Sequence, residues 1–174
     1  MKSVIRAFDH TVGSRVAKLP TWVRPLMIVS TWLGEPVVTV GISATVLGYG
    51  LALNKSFFIS AGTIAITTIL IGALLKLFLR RARPANEYVA KMFFKTFSFP
   101  SGHATGALVS FGLAAFVISL KWPMLAIPVW IAAVIAILLV SCSRIYLGAH
   151  YASDIVGGWI VGVIGLIAIF LIER

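Results

Sequence analysis

Acidic side chains are scarce in this chain: five aspartates and glutamates stand among 174 residues, against 15 lysines and arginines. Charged residues of either sign make up only 11% of it, and a single cysteine, Cys142, excludes an internal disulfide. Cys142 lies in an apolar run, where it reads as a small packing residue that says nothing about redox compartment. No apolar run of signal-peptide length precedes Leu26, so no cleaved leader is expected. Linkers, repeats and low-complexity segments are missing too. What abounds is hydrocarbon, with 60% of residues hydrophobic and a mean hydropathy of +1.03. A soluble domain of this size has too small an interior to hide so much apolar surface. Lipid is therefore the expected solvent for much of the chain. The formal charge of +10 would suggest nucleic acid in a soluble protein. Here the basic residues fall in the gaps between apolar runs, which points to anionic lipid or a phosphorylated substrate and away from nucleic acid.

Apolar runs of spanning length occur at 36–53, 57–79, 103–120, 124–143 and 152–172, the first being the shortest. Asn54-Lys55-Ser56 and Lys121-Trp122-Pro123 are gaps short enough to join antiparallel helices. Backbone polar groups in hydrocarbon must be satisfied within their own segment, so each run is read as a helix. The expected fold is all-α: a polytopic membrane bundle of about five transmembrane helices with amphipathic interfacial helices before it. One domain, 1–174, divides into an interfacial segment, 1–35, and a transmembrane bundle with its active-site loops, 36–174. Residues 1–35 mix Lys2, Arg6, Arg15, Lys18 and Arg24 with Val4, Ile5, Phe8, Trp22 and Trp32, a pattern suited to helices lying on the membrane. In the alternative, Leu26 to Leu33 extends the first span with a kink at Glu35-Pro36; it is ranked second because a buried glutamate is costly. A further segment, 85–99, sets Tyr88, Met92, Phe93, Phe94, Phe97 and Phe99 among Lys91 and Lys95, as a lip dipping into the membrane beside a site would.

The polar groups at the span ends form three clusters. Lys76 and Arg83 lie seven residues apart, so both share a helical face if the second span runs that far. Pro100-Ser101-Gly102-His103 opens the third span, where free backbone N–H groups and the positive end of the dipole suit a phosphate. Gly102 lets an anion approach the backbone, and Ser101 either caps the helix or donates to the anion. Ser143-Arg144, His150 and Asp154 follow between the last two spans. The four-residue spacing predicts His150 and Asp154 on one helical face, with the carboxylate on one ring nitrogen and the other nitrogen free. Alternating spans bring all three clusters to one membrane face. Taken singly, a basic residue beside a span is an anchor or topology signal more often than a ligand. Arg80 and Arg81 fit that plain reading best, as does His10, and Glu87 is equally uninformative. It is the convergence of three cations, two histidines, a carboxylate and a helix N-terminus that argues for a site.

At these residues the sequence resembles the type 2 phosphatidic acid phosphatase superfamily, which includes glucose-6-phosphatases and vanadium haloperoxidases. Eleven positions carry the resemblance: Lys76, Arg83 and Pro84; Pro100, Ser101, Gly102 and His103; Ser143, Arg144, His150 and Asp154. The resemblance implies that His150 attacks phosphorus to form a phosphohistidine, oriented by Asp154. It further implies that His103 protonates the leaving oxygen and then activates water. Lys76, Arg83, Ser101, Gly102 and Arg144 would bind the phosphoryl oxygens. No metal or other cofactor is expected, since the two histidines and Asp154 are each already assigned and leave no carboxylate set for magnesium or zinc.

The expected substrate is a phosphomonoester or diphosphate on a membrane lipid. Phosphatidylglycerophosphate, phosphatidate, a polyprenyl phosphate or diphosphate, a prenyl-linked phosphoribose and lipid A all satisfy the reading, and no oligomeric state is implied. Many bacterial relatives resemble six-span bundles, and this chain reads as lacking the first span. Lys55, Lys121 and Arg174 lie at the face opposite the clusters, whereas the other 12 of the 15 basic residues share the clusters' face. The positive-inside rule then favours a cytoplasmic site in the inner or plasma membrane. Two other classes stay open: a transporter or scaffold with a relic phosphate site, and a vanadate-dependent haloperoxidase-like activity.

Overall fold

The computed structural model describes residues 2–92 and 96–173, and every regular element among them is helical. In chain order these are α1 (Lys2–Ala17), α2 (Arg24–Leu33), α3 (Pro36–Ala52), α4 (Ser56–Leu79), α5 (Glu87–Ala90), α6 (Gly102–Lys121), α7 (Ala126–Tyr146) and α8 (Ala152–Ile172). Single 3₁₀ turns, Thr21–Val23 and Pro123–Leu125, lead into α2 and α7. Four stretches are long and apolar enough to cross a membrane alone: Ser56–Leu79, Gly102–Lys121, Pro123–Tyr146 and Ala152–Ile172. A 24-residue helix such as α4 is about 36 Å long, enough for a hydrocarbon core of about 30 Å.

The first expected span, 36–53, has a different form. At 17 residues α3 is short, and it passes the same test only together with Thr21–Leu33, to which it is bent by 41°. Pro36 causes the break, because it has no N–H to continue the α2 ladder and sits well at the first position of a new helix. A bend at Glu35-Pro36 is thus observed between α2 and α3, and by length and composition the two together make a broken span or a re-entrant pair. The cost of placing Glu35 there is met by half exposure and by a partner, His103. The segment preceding α3 is helical, as expected: α1 exposes Val4, Ile5 and Phe8, and Trp22 and Trp32 are exposed before and at the end of α2.

Large apolar side chains face outward along the spans, among them Leu70, Leu74 and Phe78 on α4, Ile127, Ile131 and Leu138 on α7, and Ile160, Ile164 and Leu171 on α8. Lipid in place of water makes that surface stable. Inside, Ala61, Ala65, Val109, Leu113 and Ile169 form the apolar core. Small and hydroxyl residues seam the helices together. Ser43 Oγ lies 3.0 Å from Ser110 Oγ, Ser110 Oγ donates to the Thr39 carbonyl at 2.8 Å, and Thr105 Oγ1 donates to the Gly158 carbonyl at 3.1 Å. Such pairs substitute for the hydrophobic drive that helices lack in lipid. Gly158 has a particular duty, because a Cβ there would meet the Ser101 carbonyl oxygen at 2.6 Å. Its absence lets α8 rest against the start of α6, where two of the clusters lie.

Candidate active site

α4 stops before Arg83. Arg80, at φ 45°, ends it with a left-handed cap whose N–H donates to the Lys76 carbonyl at 3.0 Å. Arg83 therefore reaches the site along an extended segment, not two helical turns beyond Lys76 as the spacing suggested. Three contacts to two neighbouring loops hold it there: Nε donates to the Thr96 carbonyl at 2.7 Å and Nη2 to Thr96 Oγ1 at 3.1 Å, before α6, and Nη1 donates to the Ala149 carbonyl at 3.0 Å, before α8. Lys76, in the last turn of α4, reaches the start of α6, with its Nζ 3.6 Å from where a Cβ on Gly102 would stand.

Ser101 is the N-cap of α6, accepting from the Ala104 N–H at 3.4 Å, and is fully buried. Of the two uses foreseen for it, the cap is the one the contacts display. His103, in the first turn of α6, places Nε2 3.2 Å from Glu35 Oε1. Arg144, on the last turn of α7, is 1% exposed, and its Nη1 donates to Thr31 Oγ1 and, at 3.3 Å, to the Tyr88 hydroxyl. Its Nε is buried and has no partner among the described residues. A buried unpaired donor costs about 1–3 kcal/mol, so this guanidinium is poised for an acceptor.

His150 and Asp154 do meet, but not on one helical face. α8 begins at Ala152, so His150 belongs to the turn before it and Asp154 to its first helical turn. Gly148, at φ 67°, makes that turn possible. The Tyr151 N–H donates to Asp154 Oδ2 at 2.9 Å, and the same oxygen lies 3.4 Å from His150 Nδ1. His150 Nε2 stands 3.4 Å from Arg83 Nη1. Because a guanidinium nitrogen only donates, this contact calls for the lone pair on Nε2 and the proton on Nδ1, which is buried and makes no hydrogen bond to a described residue, the Asp154 oxygen lying just beyond reach. Burial, followed by the positive charges of Arg144, Arg83 and Lys76, keeps the His150 pKa well below the ordinary histidine value. The ring is neutral at physiological pH.

A cavity of about 520 Å³ opens beside Arg83, His103 and Arg144, while His150, Asp154 and Ser101 are buried behind its wall and are not among its lining residues. Lys76, Arg83, Gly102, His103, Arg144, Glu35 and Tyr88 supply its polar wall, and Ile69, Ala73, Leu77 and Met92 an apolar one. Tyr88 and Met92 come from the expected aromatic lip; Phe93, Phe94 and Lys95 of that segment lie outside the described residues. Charge is strongly one-sided, with three cations in the wall and Glu35 as its one acid among the described lining residues. Such a cavity can take an anionic head with an apolar neighbour.

Several residues at the site were not foreseen. Arg81, read as an interfacial anchor, instead donates to Asp154 Oδ1 at 2.8 Å and to Asp9 Oδ2 at 2.7 Å. Asp9, Thr31 and Glu35 all come from the segment read as interfacial, and Tyr88 from the loop. Scarcity is the available signal: of five acids, Asp9, Glu35 and Asp154 each lie against a histidine or an arginine at the site.

Comparison with known proteins agrees with the geometry. The chain is 30% identical over 148 residues to an undecaprenyl-diphosphatase of Sulfolobus acidocaldarius, covering 79% of this chain and 64% of that one. It is 33% identical over 110 residues to phosphatidylglycerophosphatase B of Bacillus subtilis, covering 62% of this chain and 52% of the relative. The chain thus spans about half to two thirds of the length of these relatives. Its fold matches the crystal structure of a transmembrane PAP2 type phosphatidylglycerolphosphate phosphatase from Bacillus subtilis with a TM-score of 0.82 at 23% identity, over 98% of this chain and 86% of that one. The family model of the PAP2 superfamily matches residues 57–174, the stretch that holds all three clusters, and the chain belongs to that superfamily.

Proposed function

We propose that this chain is a membrane lipid phosphate phosphatase acting through a phosphohistidine on His150. The observation that carries the reading is the approach of Arg83 to His150 Nε2 at the end of an apolar bundle, beside a cavity lined by Lys76, Arg83 and Arg144, where Arg144 keeps a buried N–H without a partner among the described residues. His150 Nε2 attacks phosphorus as the bond to the leaving oxygen breaks, and Asp154 stabilises the positive charge that grows on the ring. His103 gives its proton to the leaving alkoxide or phosphate oxygen, then takes one from the water that cleaves the P–N bond. The cations and the α6 N-terminus at Gly102 hold the equatorial oxygens, and Arg144 Nε gains its missing acceptor. These groups supply within the chain the charge stabilisation that a metal ion would otherwise provide.

A lipid is favoured over a soluble phosphate by the apolar wall of Ile69, Ala73, Leu77 and Met92, and by the relatives' activity on lipid-linked phosphates. Phosphatidylglycerophosphate and polyprenyl diphosphate head the candidates because the two relatives carry those names. The excess of basic residues at this end supports a cytoplasmic site. The test is phosphate release by purified protein from a panel of lipid phosphates in EDTA, with His150→Ala alongside. Release from one lipid class, lost in the variant, is expected. No release from any lipid, with release from a soluble phosphate, would overturn the lipid assignment.

A further inference from the structure

Asp9 is the one buried side chain on α1 among its described residues, 8% exposed on a helix whose apolar residues Val4, Ile5 and Phe8 face outward. A surface helix that buries a carboxylate is not held by the hydrophobic effect at that point. Its contacts are few and specific. Oδ1 accepts from the Ser153 N–H at 2.8 Å, one of the free donors at the start of α8. Oδ2 accepts from Ser153 Oγ at 2.9 Å and from Arg81 Nη2 at 2.7 Å. The other end of the same guanidinium, Nη1, donates to Asp154 Oδ1 at 2.8 Å and to Ser153 Oγ at 2.6 Å, and its Cζ lies 4.3 Å from the centre of the Tyr151 ring. An unbroken chain of charge-assisted contacts thus runs from α1 to the carboxylate that faces His150.

We propose that Asp9 and Arg81 are positioning residues for the Asp154–His150 pair, which makes α1 a working part of the site. The inference rests on the phosphatase reading above only for its kinetic readout. Asp154 is fully buried, and its neighbour His150 is neutral, so it needs a cation. Arg81 is that cation, but its side chain is 29% exposed and has water as an alternative partner. Asp9 removes the alternative by holding the second arm of the fork, which fixes the plane of the guanidinium and with it Asp154 Oδ1. Arg81 on Oδ1, the Tyr151 N–H on Oδ2 and the buried Ser98 hydroxyl beside the carboxylate together fix its plane, and Oδ2 then lies 3.4 Å from His150 Nδ1. A plain anchor for α1 would need Asp9 and Ser153 and would not need Arg81 to bridge two carboxylates.

The experiment compares Asp9→Asn, Arg81→Gln and Arg81→Lys with the wild type in detergent or liposomes, with His10→Gln on the exposed side of α1 as control. Turnover should fall roughly tenfold to a hundredfold in Asp9→Asn and further in Arg81→Gln, with KM within about twofold, as expected when a reacting group is misplaced and binding is kept. Arg81→Lys should recover part of the loss. A second readout needs no turnover: ¹⁵N-histidine NMR should show His150 with its proton on Nδ1 in the wild type and a mixture of tautomers in Arg81→Gln. Unchanged turnover and an unchanged His150 spectrum in both Asp9→Asn and Arg81→Gln would overturn the proposal. So would a loss in Arg81→Gln expressed only as a rise in KM, with one tautomer retained.

Discussion

Residues 57–174 and residues 1–56 contribute to this site in different ways. The first stretch matches the family and holds all eleven positions of the three clusters. The second holds none of them, yet Asp9, Thr31 and Glu35 each contact a group at the site's centre or its support: Arg81, Arg144 and His103. The difference lies in how a site is encoded. The residues of the three clusters lie in the short stretches where spans end and begin, so they leave a pattern along the chain. Groups that hold those in place need only the right side chain at the end of a tertiary contact, and they leave no pattern.

This contrast predicts a gradient of effects, beginning in the second half. His150→Ala should lower turnover by roughly 10⁴-fold or more, since no neighbouring group replaces a lost nucleophile. Arg144→Ala should cost roughly 10²- to 10³-fold in kcat/KM, the usual range for one preorganised donor on a developing anion. If Thr31→Val, which removes only a partner of that arginine, cost as much, the distinction between acting and holding groups would collapse.

Glu35→Gln should come next, lowering kcat by about tenfold, because an amide in place of the carboxylate keeps a hydrogen bond to His103 but removes its charge assistance. Gly158→Ala probes the seam between α6 and α8 and should destabilise the bundle by about 1–3 kcal/mol in a thermal-shift series. Gly48→Ala, where a Cβ would meet nothing within 4 Å, should be near neutral.

The smallest effect concerns pH. His150 titrates well below its ordinary value of about 6.5 in the folded chain, so above that pH both folded and unfolded forms are neutral and the full stability is present. As the pH falls through about 6.5 the unfolded chain takes up the proton first, and stability declines. On the same grounds His150 should not impose an acid limb on kcat/KM near pH 6.5; a limb lying there and abolished in no His103 variant would contradict the neutral, buried assignment.

Much of this was legible in the sequence, and the particular failures are physical. Spans at α4, α6, α7 and α8 could be read because lipid demands long apolar helices, and their alternation brought the clusters to one end. The bend at Glu35-Pro36 is hard to read from the sequence, because the cost of the glutamate is visible there but its partner, 68 residues away, is not. Spacing misled at two points for one reason, that helical periodicity was carried past a helix end. Arg80 stops α4 before Arg83, and α8 begins after His150. Arg81 looked like an anchor because its two partners, Asp9 and Asp154, lie 72 and 73 residues away.

The most direct measurement is a rapid-quench experiment with a ³²P-labelled lipid phosphate in EDTA, followed through the first turnover. The account predicts a base-stable, acid-labile phosphoryl group on the wild-type chain that appears before free phosphate and is missing in His150→Ala. Turnover at the wild-type rate with no label ever trapped, or label of the same kind persisting in His150→Ala, would contradict it.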